Sequence, residues 1–258
     1  MSSDTAIRCG VLIGVSAGDS QEDLIRCLRS VLAQSDVFDV TIFVAMETGL
    51  KIEHLPDLKF PNNVTLKIID VQAATNLSVK LNRLIEEVQK TNIHYLFRLD
   101  PDDEMLPGRM ATQVEGLLHS GLDALGTSAV VVVGKSGIQL KKRVRKTVNF
   151  DDLLKTNQFL HPTMAFRPDF FIKYGRYDEK LNRAQDWELW LRAMARGAKM
   201  GNLSRATTRI KINSATLTRR RDTSVIDKEI LGKWGRRLSA RHALKVFLRN
   251  LLFRVFGR

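Results

Sequence analysis

Cysteine is almost missing. Cys9 and Cys27 are the two in 258 residues, too few for a disulfide framework, and no Cys/His cluster has the spacing of a zinc site. A reducing cytoplasm suits such a chain. Long apolar runs are missing too. The opening MSSDTAIRCGVLIGVSA places one Arg ahead of a stretch too short and too strand-like for a signal peptide, and no other segment approaches the roughly 18 apolar residues of a membrane span. A chain that does not cross a bilayer is expected. Internal repeats, low-complexity tracts and Pro/Ser linkers are likewise absent. With 44% apolar residues, this length builds one large domain around a substantial core.

Acids are scarce at one end. From Arg219 to Arg258, twelve Lys and Arg face only Asp222, Asp227 and Glu229, a surplus of +9 out of the formal +13. The rest is close to neutral, and a basic tail on a near-neutral body suggests an anionic partner surface.

Strands and helices alternate along the first hundred residues. VLIGVSA (11–17), VTIFVAM (40–46), VTLKIIDV (64–71) and IHYLFRL (93–99) read as strands, with helical patterns after the first (Leu24, Ile25, Leu28, Val31, Leu32) and after the third (78–89). Parallel neighbours need crossovers, so this order predicts an α/β fold whose ligands bind beyond the carboxyl ends of the strands. After Pro107 the pattern changes. A helix through Met110 and Leu117, an apolar strand at 124–134, a basic turn KKRVRK (141–146), a short helix near 150–156, a strand HPTMAF (161–166), a helix from Ala184 to Arg196 and a last strand pair near 198–213 are expected.

The acids gather where the fourth strand ends. RLDPDDEMLP holds Asp100, Asp102, Asp103 and Glu104 within five positions, a concentration that calls for a counter-charge. An EF-hand is excluded, because counting from Asp100 the glycine position is Met105 and the bidentate glutamate position is Ala111. What remains is an Asp-x-Asp whose alternate members, Asp100 and Asp102, face one side. So few hard oxygen ligands suit Mg²⁺ or Mn²⁺ shared with a substrate diphosphate. The plainer alternative is an acidic turn, with Asp103 or Glu104 capping the helix after Pro107.

A second cluster lies in AQDWELWLRAMARGAK. Asp186, in the first turn of its helix and beside Trp187, has the composition of a general base next to a sugar-stacking ring, while Glu188 and Arg192 are spaced as an i,i+4 pair. Alternatively Asp186 only complements the helix dipole, and Trp187, Leu189, Trp190 and Leu191 fill the core.

FRLDPDDEMLPGRMATQ, FLHPTMAFRPDFFIKYGRYDE and AQDWELWLRAMARGAK, in this order and spacing, resemble the bacterial glycosyltransferases of family 2, in particular the subgroup that builds exopolysaccharide, capsule and lipopolysaccharide repeat units. The resemblance covers about residues 8 to 215. It implies a GT-A nucleotide-diphosphosugar transferase fold with a mostly parallel central sheet flanked by helices, and an inverting, metal-dependent transfer from a nucleotide sugar, UDP-linked in the usual case. By matching positions, Asp100 binds ribose or sugar, Asp102 holds Mn²⁺ or Mg²⁺, and Asp186 is the catalytic base. Val15, Ser16, Ala17 and Glu47 receive the nucleoside, Lys80 lies near the donor, and His161, in the family's His-Pro block, walls the site; Trp187 joins that wall on the acceptor side by its place beside Asp186. Three positions depart from the pattern: METG stands for Asp-Gly-Ser after the second strand, VSAGDS for the usual tyrosine–asparagine ending, and Gln185 for the glutamate before the base. Losing that neighbouring charge should leave the pKa of Asp186 less elevated.

The implied organisation is a transferase domain over 1–217, with a nucleotide-binding half to about 105 and an acceptor half from 106, followed by a basic helical tail over 218–258. In the tail Arg237, Arg241, Lys245 and Arg249 form one stripe, opposite Leu244, Phe247, Leu248 and Leu251. Such a helix docks a cytoplasmic enzyme on the inner face of the cytoplasmic membrane, where a saccharide or lipid-linked acceptor would be met, or else packs on the body. Arg219 to Arg221 are a candidate lid over the donor phosphates. Two other readings compete. A sugar-1-phosphate nucleotidyltransferase would need a basic residue in the loop SAGDSQED, which has none, and a nucleic-acid-binding protein would need a recognised motif in the body. No nucleic acid partner is expected.

Overall fold

The computed structural model describes residues 6–52, 54–134, 137–212 and Trp234. Its first strand, β1 (Arg8–Val15), is buried on both faces. Cys9, Val11, Ile13 and Val15 alternate onto the side covered by Leu24, Ile25 and Leu28 of α1 (Gln21–Leu32), while Leu12 faces Leu81, Leu84 and Ile85 of α2 (Leu77–Val88). Gly14 lets α2 approach: a Cβ there would stand 2.9 Å from the Leu77 side chain and 3.5 Å from Cβ of Lys80. Both helices begin at side-chain caps. The Ser20 hydroxyl accepts from the N–H of Asp23, and Asn76 Oδ1 accepts from the N–H of Val79 at 3.0 Å.

β2 (Asp39–Glu47), β3 (Val64–Val71) and β4 (Tyr95–Arg98) run parallel to β1 in the order β3-β2-β1-β4. The sheet then continues through β8 (Ala165–Phe166), antiparallel to β4, to β6 (Ala124–Val133), β9 (Met200–Ile212) and β5 (Glu104–Met105). β7 (Ile138–Lys142) pairs with the outer half of β6. α3 (Arg109–Ser120), α4 (Phe150–Lys155), α5 (Phe170–Tyr174) and α6 (Gln185–Ala195) complete the described elements. Among the described residues no helix is long and apolar enough to cross a membrane.

Three local expectations change. The basic turn at 141–146 begins inside β7, because the all-valine end of β6 offers a full edge for pairing. The strand over 161–166 shrinks to Ala165–Phe166, since Pro162 sits in a 3-10 turn over His161–Thr163. The last strand pair is one strand, β9, following β6 throughout; a register shift opposite Thr127 to Ala129 interrupts its alternation. The basic tail, the lid at Arg219 to Arg221 and the boundary at 217 lie outside the described residues. Trp234 is the exception, meeting Phe150 edge-on at 6.2 Å.

Candidate active site

Two of the four clustered acids are paired with a cation from within the chain, and a third is held by a backbone N–H. Asp100 pairs with the guanidinium of Arg98, a fully buried side chain that also donates to the carbonyls of Leu12 and Leu99. Asp103 is 2% exposed, accepts from the N–H of Lys211 at 2.9 Å, and is pushed well above the usual carboxylate range by burial and then by the charges of Asp100 and Asp102. Glu104 pairs with Arg209 at 3.1 Å across the β5–β9 ladder. The helix-capping alternative is thereby set aside: α3 starts at Gly108, in the left-handed conformation (φ 74°), with no side-chain cap.

Asp102 is different. It is half-buried, no Lys or Arg among the described residues contacts its carboxylate, and burial followed by the charge of Asp100 raises its pKa to about 6. A desolvated carboxylate without an ion-pair partner is a fitting ligand for Mg²⁺ or Mn²⁺. Among the described residues no group of three or more His, Cys, Asp or Glu could hold a metal, so the remaining ligands would come from water and a substrate.

Behind the acids the strand ends form a polar shelf. Val15 is buried, Ser16 half-buried and Ala17 exposed, and the Ser16 N–H donates to Asp19 Oδ2 at 2.7 Å. Lys80, 1% exposed, donates through Nζ to Glu47 Oε1 at 2.7 Å and to the Ser16 hydroxyl at 2.5 Å. That bond to Lys80, helped by the N–H groups of Ala74 and Ala17, lowers the pKa of Glu47 against the effect of burial. Through its bonds to Glu47 and Ser16, Lys80 ties together the ends of β1 and β2. Asp19, near Lys80, Asp100 and Glu47, has its pKa raised chiefly by burial.

Asp186 comes from the other half of the fold. Ala184 takes the left-handed conformation at the N-cap of α6 (φ 54°), and Asp186 in the following turn accepts from the N–H of Trp187 and from Asn157 Nδ2, the latter at 2.8 Å. Burial raises its pKa, and the charge of Asp100 adds to this, so the two carboxylates lie within electrostatic reach of each other. Tyr177 feels both, its phenol being raised by burial and further by Asp186 and Asp100. His161 Nε2 lies 2.9 Å from the Tyr177 hydroxyl, and the imidazole is edge-on to Tyr177 and Trp190. Burial and then the Arg98 charge hold His161 well below its ordinary pKa, hence neutral. It underpins Tyr177 as a hydrogen-bonded, half-buried residue.

Trp187 requires a correction. It is 8% exposed, its Nε1 donates to the Leu153 carbonyl at 2.7 Å, and it belongs to the core with Trp190 and Leu191, so it offers no open ring to a sugar. Glu188 and Arg192 do pair, at 3.1 Å, and Arg192 also donates to the carbonyls of Tyr174 and Arg176. Arg98, Asn157, Tyr177 and Asp19 were not picked out from the sequence. Arg98 and Tyr177 stand inside the diagnostic blocks, whereas Asn157 and Asp19 look like ordinary turn residues.

No protein-family model matches the chain. Its sequence is 27% identical over 224 residues to the amylovoran biosynthesis glycosyltransferase AmsE of Erwinia amylovora, covering 85% of this chain and 82% of AmsE. It is 26% identical over 196 residues to the O-antigen biosynthesis glycosyltransferase WbnJ of Escherichia coli, covering 71% of this chain and 70% of WbnJ. The fold matches S. aureus TarS 1-349 in complex with UDP at a TM-score of 0.66 and 15% identity, over 98% of this chain and 73% of that one. The chain is a GT-A-like glycosyltransferase. Both relatives are named for the biosynthesis of a polysaccharide, amylovoran and O-antigen. Against TarS 1-349 in complex with UDP-GlcNAc the TM-score is 0.64 at 16% identity, and the glycosyltransferase spans 80% of its own length but 59% of that fragment.

Proposed function

We propose that this glycosyltransferase is an inverting, metal-dependent member of family 2 that moves a sugar from a UDP-sugar to a saccharide or lipid-linked saccharide during assembly of bacterial surface polysaccharide. One observation carries the reading: Asp186, from the second half of the fold, lies within electrostatic reach of Asp100 at the end of β4, next to an Asp102 that forms no ion pair among the described residues. The UDP and UDP-GlcNAc complexes of TarS support a nucleotide-sugar donor. Residues to about 105 are assigned to the donor, those from 106 to 217 to the acceptor, and 218–258 to docking on the inner face of the cytoplasmic membrane.

Asp102 is the residue that would hold Mn²⁺ or Mg²⁺, with donor phosphates and water completing the shell. Bound there, the cation would offset the charge developing on the leaving diphosphate. The chain's own groups do the rest. Asp100, fixed by Arg98, keeps an oxygen for a ribose or sugar hydroxyl. Asp186 takes the proton of the acceptor hydroxyl as that oxygen bonds to the anomeric carbon; the bond from that carbon to the diphosphate breaks on the opposite face, and its electron pair leaves with the nucleoside diphosphate. Configuration inverts. Partial burial, which raises the pKa of Asp186, makes it a stronger base than a solvated aspartate.

A panel of nucleotide sugars, offered with Mn²⁺ and a mixture of saccharide acceptors, tests this directly. UDP release from at least one UDP-sugar, abolished by chelation, is expected; release from no UDP-sugar, or release unaffected by chelation, would overturn the donor or the metal assignment respectively.

A further inference from the structure

β7 is exposed at all five of its residues, and Ile138 and Leu140 each leave 58% of their surface in solvent. Its outer edge pairs with no strand among the described residues. Lysines on an edge strand are a common guard against aggregation, but that role is defeated by two bare aliphatic side chains beside them. The charge is one-sided. No acid occurs between Asp123 and Asp151, a stretch that holds Lys141, Lys142, Arg143, Arg145 and Lys146. Arg145 pairs with Asp152 at 3.2 Å; Lys141, Lys142 and Arg143 have no ion-pair partner among the described residues. From Ile138 to Lys146 there is no aromatic residue, so nothing in that segment can stack on a nucleobase.

The register ties this strand to the acids. Met105 pairs with Thr208, Thr208 with Ala129, and Ala129 with Lys142; one step on, Glu104, Arg209, Val130 and Lys141 form the next row. β7 is therefore three strand spacings, about 14 Å along the sheet, from β5, the strand that follows the loop carrying Asp100 and Asp102. Beyond Leu125, level with Phe97 across Ala165, β6 continues for about 25 Å toward the side of the sheet on which the acids lie.

We propose that the β6–β7 hairpin is a docking surface for an anionic lipid bilayer, with Ile138 and Leu140 entering the interface and Lys141, Lys142 and Arg143 meeting lipid phosphates. This deepens the membrane placement proposed for the tail by giving the catalytic body a contact of its own, close to the donor site. Clustered basic residues supply the attraction to anionic headgroups, and the aliphatic pair supplies the part that salt does not screen.

The test is co-sedimentation of the full chain with phosphatidylcholine vesicles containing about one third phosphatidylglycerol. Lys141→Glu/Lys142→Glu/Arg143→Glu should lower partitioning on the order of a hundredfold or more, and Ile138→Ser/Leu140→Ser should lower it about tenfold or more. All five side chains face solvent, so unchanged circular dichroism melts confirm that the variants fold. The assay needs no turnover, so its failure and failure of the transfer reaction are separate outcomes. Undiminished vesicle binding by both variants would overturn the proposal, as would absence of binding by the unaltered protein. A loss confined to RNA or to an anionic polysaccharide, with vesicle binding intact, would overturn it in favour of that ligand.

Discussion

Asn157 donates its side-chain amide to Oδ2 of Asp186 at 2.8 Å, tying the segment after α4 to the first turn of α6. The bond stabilises the ionised carboxylate and opposes the rise in pKa that burial imposes. Asn157→Ala removes this restraint, so the pKa of Asp186 rises further and less of it is the free base at a given pH. The acidic limb of the kcat/KM profile should move to higher pH, with activity recovering as the pH is raised. A uniform loss across the profile would mean that Asn157 serves folding alone.

Asp102→Asn removes a half-buried clustered carboxylate that forms no ion pair among the described residues. Nucleotide affinity measured by calorimetry should lose its dependence on Mn²⁺, by at least the roughly 10- to 100-fold that removal of an outer-shell partner costs a metal site. An equal response to Mn²⁺ in both proteins would remove Asp102 from the metal.

Lys80 and Glu47 form a buried pair whose breakage should be visible in stability. Lys80→Ala strands a carboxylate and should cost about 3–5 kcal/mol, and Lys80→Met/Glu47→Leu should recover much of it. The pH dependence follows from the lowered pKa of Glu47. Its contribution is present above the ordinary glutamate value of 4.5 and is lost as pH falls through the lower folded value. The unaltered protein should therefore lose more stability in acid than the double variant does. Parallel pH–Tm curves would contradict this.

Trp187→Phe separates a core role from a sugar platform. Loss of the bond to Leu153 and of packing volume should lower Tm, with a cost of about 1–3 kcal/mol, while the donor KM of the folded enzyme stays near its original value. A raised KM with unchanged Tm would restore the platform.

Much of the fold was legible because its signals are local. The valine- and isoleucine-rich strands 40–46 and 64–71 needed only hydrophobic runs and their spacing, and the Glu188–Arg192 pair needed only helix periodicity. The acids 100, 102 and 186 stood out as carboxylates in unusual company. Pairings between distant segments did not show: Arg98 reads as one polar residue in an apolar strand, yet it is the counter-charge of Asp100. Asn157 gains meaning only when α4 packs beside α6. Trp187 misled because an aromatic beside a carboxylate suggests a sugar site, and its burial depends on Leu153, 34 positions away. β7 escaped notice because its basic residues resemble a solvated turn.

The assignment of Asp186 as the base is the point on which the enzyme stands, and Asp186→Asn tests it in one protein. The substitution keeps the shape and lets Asn157 remain close while removing the proton acceptor. Binding of the UDP-sugar and Mn²⁺ should be unchanged, and transfer to the acceptor should fall by about 10²–10⁴ or more. Turnover equal to that of the unaltered protein, with binding intact, would contradict it.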